Sequence, residues 1–253
     1  ILLRLLRRAD FVGAPHNDGK NSVIASPERS EGRSNLNTQY SILNKNHDKI
    51  IVNYHGVELN KFNSLRSMPY ALSPMPLRIL SVGSLLQCKG FDILIEACGI
   101  LRDRGVDFEC VIAGGGPLEQ ELKERAAKVS TDNIKFTGYI TQDKLIPLYQ
   151  KADVFALPAR LDMHWGIPNV LLEAMAAKVP VITTGLPSIP ELIEDGKTGF
   201  IVQEKDPHAL AEKIMLLANN PDLRGQVGGA GYRVIQDRFD AAKNTVKLKN
   251  LFG

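Results

Sequence analysis

From Leu77 onward, apolar residues arrive in short runs that alternate with longer amphipathic stretches. LRILSVG, FECVIAG, NIKFTGY, DVFALP, VPVITT and TGFIV are short and rich in β-branched or aromatic residues, so each predicts a strand. Between them, GFDILIEACGILRDRG, PLEQELKERAAKV, TQDKLIPLYQKA and GIPNVLLEAMAAK carry apolar positions at helical spacing, and IPELIED predicts a short helix. Strands bounded by glycine and alternating with such helices predict an α/β fold, a Rossmann-like parallel sheet with helices on both faces. Beyond Asp206 the pattern is helical to the end. Asp206 supplies a capping oxygen, and Pro207 lacks an N–H that the first helical turn cannot use.

Residues 1–76 are less regular. RRADFVGAP predicts a helix end and a strand, and KIIVNYHGVEL another strand and a turn. Between them lies a polar, Ser- and Asn-rich, aperiodic stretch, expected to be a disordered insertion at about residues 16–40. The organisation expected is therefore 1–76 as an irregular leading segment and linker, and 77–253 as one Rossmann-like domain.

Composition narrows the function without naming it. With 253 residues, 44% of them hydrophobic, the chain can bury one large core or two modest ones. A formal charge of +3 is too small to argue for a nucleic-acid partner. Cys88, Cys98 and Cys110 form no paired framework and no metal-ligand spacing, which suits a cytoplasmic protein without a metal site. No apolar run reaches the roughly 20 residues of a membrane span. The opening ILLRLLRRAD reads as the tail of a surface helix, with peripheral contact at the inner membrane face as the weaker alternative.

In an open parallel sheet ligands bind beyond the carboxyl ends of the strands, so the loops after strands are where chemistry is expected. VGSLLQCKGFD offers Gly83, Ser84 and Lys89 ahead of a helix, where a lysine can neutralise a phosphate; an ordinary solvated lysine fits equally. AGGGPLEQEL brings Gly115 and Gly116, suited to close ligand approach or simply to a tight turn. It is not the dinucleotide fingerprint, because the third glycine and the following acid are missing. FTGYI sets Gly138, Tyr139 and Ile140 at another strand end, where backbone groups could read a flat base. The fourth loop leads into the helix with Gly166, Ile167, Pro168, Asn169 and Glu173. Asn169 and Glu173 are four apart and share a face. A carboxylate inside an apolar helix is costly without a partner. Glu173 is therefore expected either to accept the vicinal hydroxyls of a ribose or to join a structural salt bridge from a distant Lys or Arg.

GIPNVLLEAMAAKVPVITT, IPELIEDGKTGFIV and DPHALAEKI, with AGGGPLEQEL, FTGYI, LYQKADVFALP and YHGVELNKF in order, resemble the C-terminal donor-binding domain of retaining glycosyltransferases of family four (group 1), which have the GT-B fold. The likeness covers roughly residues 50–238. It implies a UDP- or GDP-linked sugar as substrate, no metal and no cofactor, and transfer of a hexose with retention to a carbohydrate or lipid-linked acceptor. It also implies that residues 1–76 are the remnant of an N-terminal domain and linker, so the chain is expected to be a fragment, a degraded gene product or one half of a split enzyme with a separate N-terminal acceptor domain as partner. Lys89 would contact phosphate, Glu173 the ribose and the helix start near Gly166 the diphosphate, with Lys89 and Glu173 as the catalytic residues. Trp165 stands where the family has an acid contacting the sugar, and Ser84 where it has a phosphate arginine. Pro187–Ser188 replaces a glycine pair and Lys178 a glycine. Asp162 or His164 are the candidates to replace the acid. These departures keep a second reading open, a non-catalytic nucleotide-binding remnant or partner subunit; a nucleotide-sugar epimerase would need catalytic groups from two domains.

Overall fold

Strands that are apolar on both sides cannot face water, and the helices between them provide the cover. The computed structural model describes residues 22–25, 40–44, 50–62, 76–129, 132–161 and 166–252. Near the start, β1 (Ser22–Ala25), β2 (Tyr40–Asn44) and β3 (Ile50–Asn53) form a small antiparallel sheet in the order β1-β2-β3. Ser22–Ala25 falls inside the stretch expected to be disordered. Its adjacent β-branched Val23 and Ile24 favour a strand despite the polar flanks. The remainder of that stretch, and RRADFVGAP, lie outside the described residues.

The main sheet contains β4 (Leu77–Val82), β5 (Phe108–Ala113), β6 (Ile134–Phe136), β7 (Val154–Leu157), β8 (Val181–Thr184) and β9 (Phe200–Val202). All its pairings are parallel, in the order β6-β5-β4-β7-β8-β9. The helices are α1 (Phe91–Asp103), α2 (Glu119–Val129), α3 (Gln142–Lys151), α4 (Asn169–Ala176), α5 (Pro207–Asn219), α6 (Pro221–Arg238) and α7 (Ala241–Phe252). Side chains alternate across the sheet with a period of two. Leu77, Ile79, Phe108, Cys110, Val154, Ala156 and Ile182 enter one core layer with α1 and α5. Leu80, Val82, Phe155, Leu157 and Val181 enter the other, with α4 and Tyr149 of α3. The expected α/β class, parallel sheet and helical C-terminus are all present. Asp206 caps α5 as expected, its carboxylate accepting from the Ala209 N–H at 2.9 Å. No described helix is long and apolar enough to cross a membrane.

Lys178, in the family's glycine position, has φ 60°, the left-handed region that costs an L side chain about 1–2 kcal/mol. Its ammonium lies over the Tyr232 ring at 4.8 Å, which offsets part of that cost. The segment after β3 is stitched to the α6–α7 junction. Val57 N–H donates to Phe239 O at 2.9 Å, Ala241 N–H donates to Val57 O at 3.1 Å, and Arg238 Nη2 reaches the Tyr54 hydroxyl at 2.8 Å.

The sheet centre is braced by charge. Asp153, 1% exposed, accepts from the Arg78 backbone N–H at 3.0 Å and from Arg78 Nε at 3.0 Å and Nη2 at 3.2 Å. Arg78→Met removes both guanidinium bonds but leaves the backbone one, and is expected to lower unfolding free energy by about 2 kcal/mol in urea titration; Arg78→Lys, which keeps the charge, should lower it by less.

Candidate functional site

In chain order the six parallel strands read 3-2-1-4-5-6 across the sheet, so connections run in opposite directions on either side of the β4–β7 pair. Such a switch point opens a crevice at the carboxyl ends of the strands. The loop from Gly83 to Gly90 borders it on one side, and Pro158 to Leu161 and Gly166 to Pro168 on the other. Asp162, Met163, His164 and Trp165, in the second loop, lie outside the described residues.

Lys89 ends a short 3-10 turn, Gln87–Lys89, directly before α1. A Cβ added to Gly83 would sit 3.6 Å from the Lys89 side-chain carbons, so the lysine stem runs across that glycine. Burial lowers the Lys89 ammonium pKa from its ordinary value, and the neighbouring Cys88 opposes this. The turn is held by Arg160, which pattern reasoning missed. Its Nε donates to Gln87 O at 2.9 Å, its backbone N–H to Cys88 O at 2.9 Å, and its Nη2 to Asp92 at 2.6 Å. Arg160 thus ties the two crevice loops together. Ser84 is exposed beside them.

The glycine run serves backbone contact before anything else. Leu85 N–H donates to Gly115 O at 3.0 Å, and Gly114 N–H donates to Gly138 O at 3.0 Å, lacing three strand-end loops in a row. A Cβ on Gly114 would stand 1.9 Å from Gly83 O, and one on Gly116 2.7 Å from Leu85 N and O. Both positions therefore require glycine whatever binds nearby. At Gly115 the same added atom would meet Tyr139 N at 3.5 Å, an ordinary contact. Tyr139 is 83% exposed at the rim, while Ile140 packs against the core.

Helix α4 begins three residues beyond Gly166, near which its start was expected. Pro168, with φ −64° and ψ 124°, precedes it and Asn169 is its first residue. Gly166 has φ 87°, and Ile167 packs partly into the core. Asn169 and Glu173 take different partners. Asn169 Oδ1 lies 2.7 Å from Nε2 of His55, which the segment after β3 brings across 114 positions. Glu173 is not in a salt bridge among the described residues. Its Oε2 accepts from the Tyr149 hydroxyl at 2.9 Å and its Oε1 from Gln142 Nε2 at 3.3 Å. Burial raises the Glu173 carboxyl above the usual range, and both donors oppose that rise. Tyr149, 0% exposed, is pushed well above the ordinary phenol value by burial and then by the Glu173 charge.

The structure thus brings Gly83, Lys89, Gly115, Gly138 and Tyr139 into neighbouring strand-end loops, with Gln142 linking the β6 end to Glu173. The buried phenol and the buried acid each needed a partner. That mutual need was the only signal in the sequence, since no spacing announces contacts between α3 and α4.

An open doubly wound α/β domain with its crevice at this switch point is one half of a GT-B architecture. The chain belongs to the family of glycosyl transferases group 1, whose sequence profile matches residues 69–234. It is 40% identical over 177 residues to the amylovoran biosynthesis glycosyltransferase AmsK of Erwinia amylovora, covering 68% of this chain and 42% of that protein. The C-terminal domain of a glycosyl transferase group 1 family protein (LpcC) from Francisella tularensis superimposes with TM-score 0.63 at 26% identity, over 73% of this chain and 98% of that one. Anabaena Alr3699/HepE, solved in complex with UDP, shares the fold with TM-score 0.69 at 19% identity, over 79% of this chain and 56% of that one. The chain therefore spans less than half of its curated relative and corresponds to the C-terminal domain.

Arg160→Met should release the Lys89 turn. Amide hydrogen exchange at Lys89 and Gly90, whose N–H groups bond Leu86 O and Gln87 O, should quicken by about tenfold, the scale of about 1.4 kcal/mol. Exchange in β5 should stay level.

Proposed function

We propose that this chain is the donor-binding half of a glycosyltransferase that moves a hexose from a UDP- or GDP-linked sugar to a carbohydrate or lipid-linked acceptor, with retention. The observation that carries this reading is Glu173, a half-buried carboxylate at the crevice rim, held by two donors and offering further acceptor positions. A carboxylate accepts at about four sites, so two vicinal ribose hydroxyls still fit. Gly138, Tyr139 and Ile140 would then lie beside the base. Lys89, the Gly115–Gly116 backbone and the chain from Gly166 to Asn169 would face the diphosphate and sugar, with Gly83 and Ser84 at the loop base. The work asked of them is electrostatic. Charge grows on the diphosphate as the sugar departs, and fixed donors plus the Lys89 ammonium stabilise it without reorganising. No cofactor is required, and the acceptor would be held by a separate N-terminal domain. The AmsK relative, an amylovoran biosynthesis glycosyltransferase, supports the glycosyltransferase reading.

The Trp165 substitution favours a second reading, a nucleotide-binding partner without transfer of its own. Trp165→Glu distinguishes the two. In a donor-binding half it should tighten a nucleotide-sugar relative to the bare nucleotide; in a non-catalytic partner the ratio should not move.

Uridine or guanosine diphosphate at a hundred times its dissociation constant should stabilise the chain by about 2.7 kcal/mol, read as a thermal shift. Absence of any shift at millimolar nucleotide would remove the site reading. Glu173→Gln should weaken that nucleotide about ten- to a hundredfold by calorimetry. Because the folded-state pKa of Glu173 is raised, its charge costs stability as pH rises through that value. At neutral pH Glu173→Gln should therefore melt no lower than the wild type. The wild-type chain should lose nucleotide affinity as acidification protonates the carboxyl.

A further inference from the structure

Glu173 would be a poor receptor for two hydroxyls if its carboxylate plane were free to turn. The terminal torsion of a glutamate is broad, so rotation about it is soft. One of its two donors cannot set that plane. Gln142 is exposed, its side chain is flexible and its bond is long at 3.3 Å. Tyr149 is different. Its ring is fully buried, with Phe155 at 5.8 Å between centroids and Phe62 edge-on at 6.3 Å. The hydroxyl therefore stands at a fixed place, 2.9 Å from Glu173 Oε2.

We infer that Tyr149 is a positioning residue: a rigid strut from α3 that fixes the Glu173 carboxylate so that each oxygen presents one open acceptor direction to the crevice, making the site selective for a ribonucleotide over a deoxyribonucleotide. The inference rests on the donor-site reading above and adds the residue that sets the sugar preference. Tyr149 touches no substrate. It acts only through Glu173, and Tyr149→Phe keeps the ring and its packing while deleting the one donor.

The test is calorimetric titration of the full chain with uridine and deoxyuridine diphosphate, and with the guanosine pair. The wild type should prefer each ribonucleotide by about tenfold, the scale of one lost hydrogen bond to a charged group. Tyr149→Phe should weaken the ribonucleotide by about fivefold and the deoxyribonucleotide by less than about twofold, so the preference collapses. A merely structural role would lower the melting temperature and leave the ratio alone. Gln142→Ala is the second variant, with a preference expected within about twofold of wild type. If wild type binds ribo and deoxy forms equally, Glu173 does not hold the sugar and the inference falls together with that part of the site reading. If wild type discriminates and Tyr149→Phe discriminates equally well, the inference alone is overturned. Collapse of the preference in Gln142→Ala would also overturn it, because the exposed donor would then be the one that matters.

Discussion

The pairing of β4 with β7 at the centre of the sheet is the constraint on which the rest depends. Ile79 and Leu80 lie in register with Val154 and Phe155, and Arg78 holds Asp153 at the same edge of that pair. Because the chain places β5 and β6 on one side and β8 and β9 on the other, the loops leaving this pair diverge. A gap forms where the two halves part, and nearly every candidate residue belongs to a loop or helix that borders it.

Two ionisable groups near that gap are shifted in opposite directions by the same cause. Lys89 loses hydration over Gly83, and burial lowers its pKa. Glu173 is half-buried too, and its carboxyl is raised. Desolvation disfavours the charged form of both. Under the proposed reading, an anionic ligand at Lys89 and hydroxyl donors at Glu173 would each favour the charged form.

The scaffold around these groups is mostly backbone. The strand-end loops after β4, β5 and β6 hold one another through main-chain bonds that demand glycine at 114 and 116. Arg160 then fastens the Lys89 turn to the far side of the crevice. Precision here comes from atoms every residue possesses, with side-chain identity reserved for the few positions that face the gap.

Periodicity alone determined the main-sheet strands and the helices between them, because burial on two faces forces a continuous apolar run and burial on one forces a helical stripe. It also marked Lys89, the glycine loop and Glu173, since a lysine at a helix start and an acid inside an apolar helix conflict with their surroundings and ask for a reason. It placed order too sparingly in the leading segment, where two β-branched residues suffice for the short β1. The sequence could not announce the strand order, the His55–Asn169 pair, the Arg160 clamp or the Tyr149–Glu173 bond. Those contacts join positions from 24 to 114 residues apart. The last exists because helices α3 and α4 pack on the same face of the sheet, and a pattern read along one element carries no information about which neighbour that element meets. Tertiary packing decided that the acid would find a buried phenol rather than a distant cation.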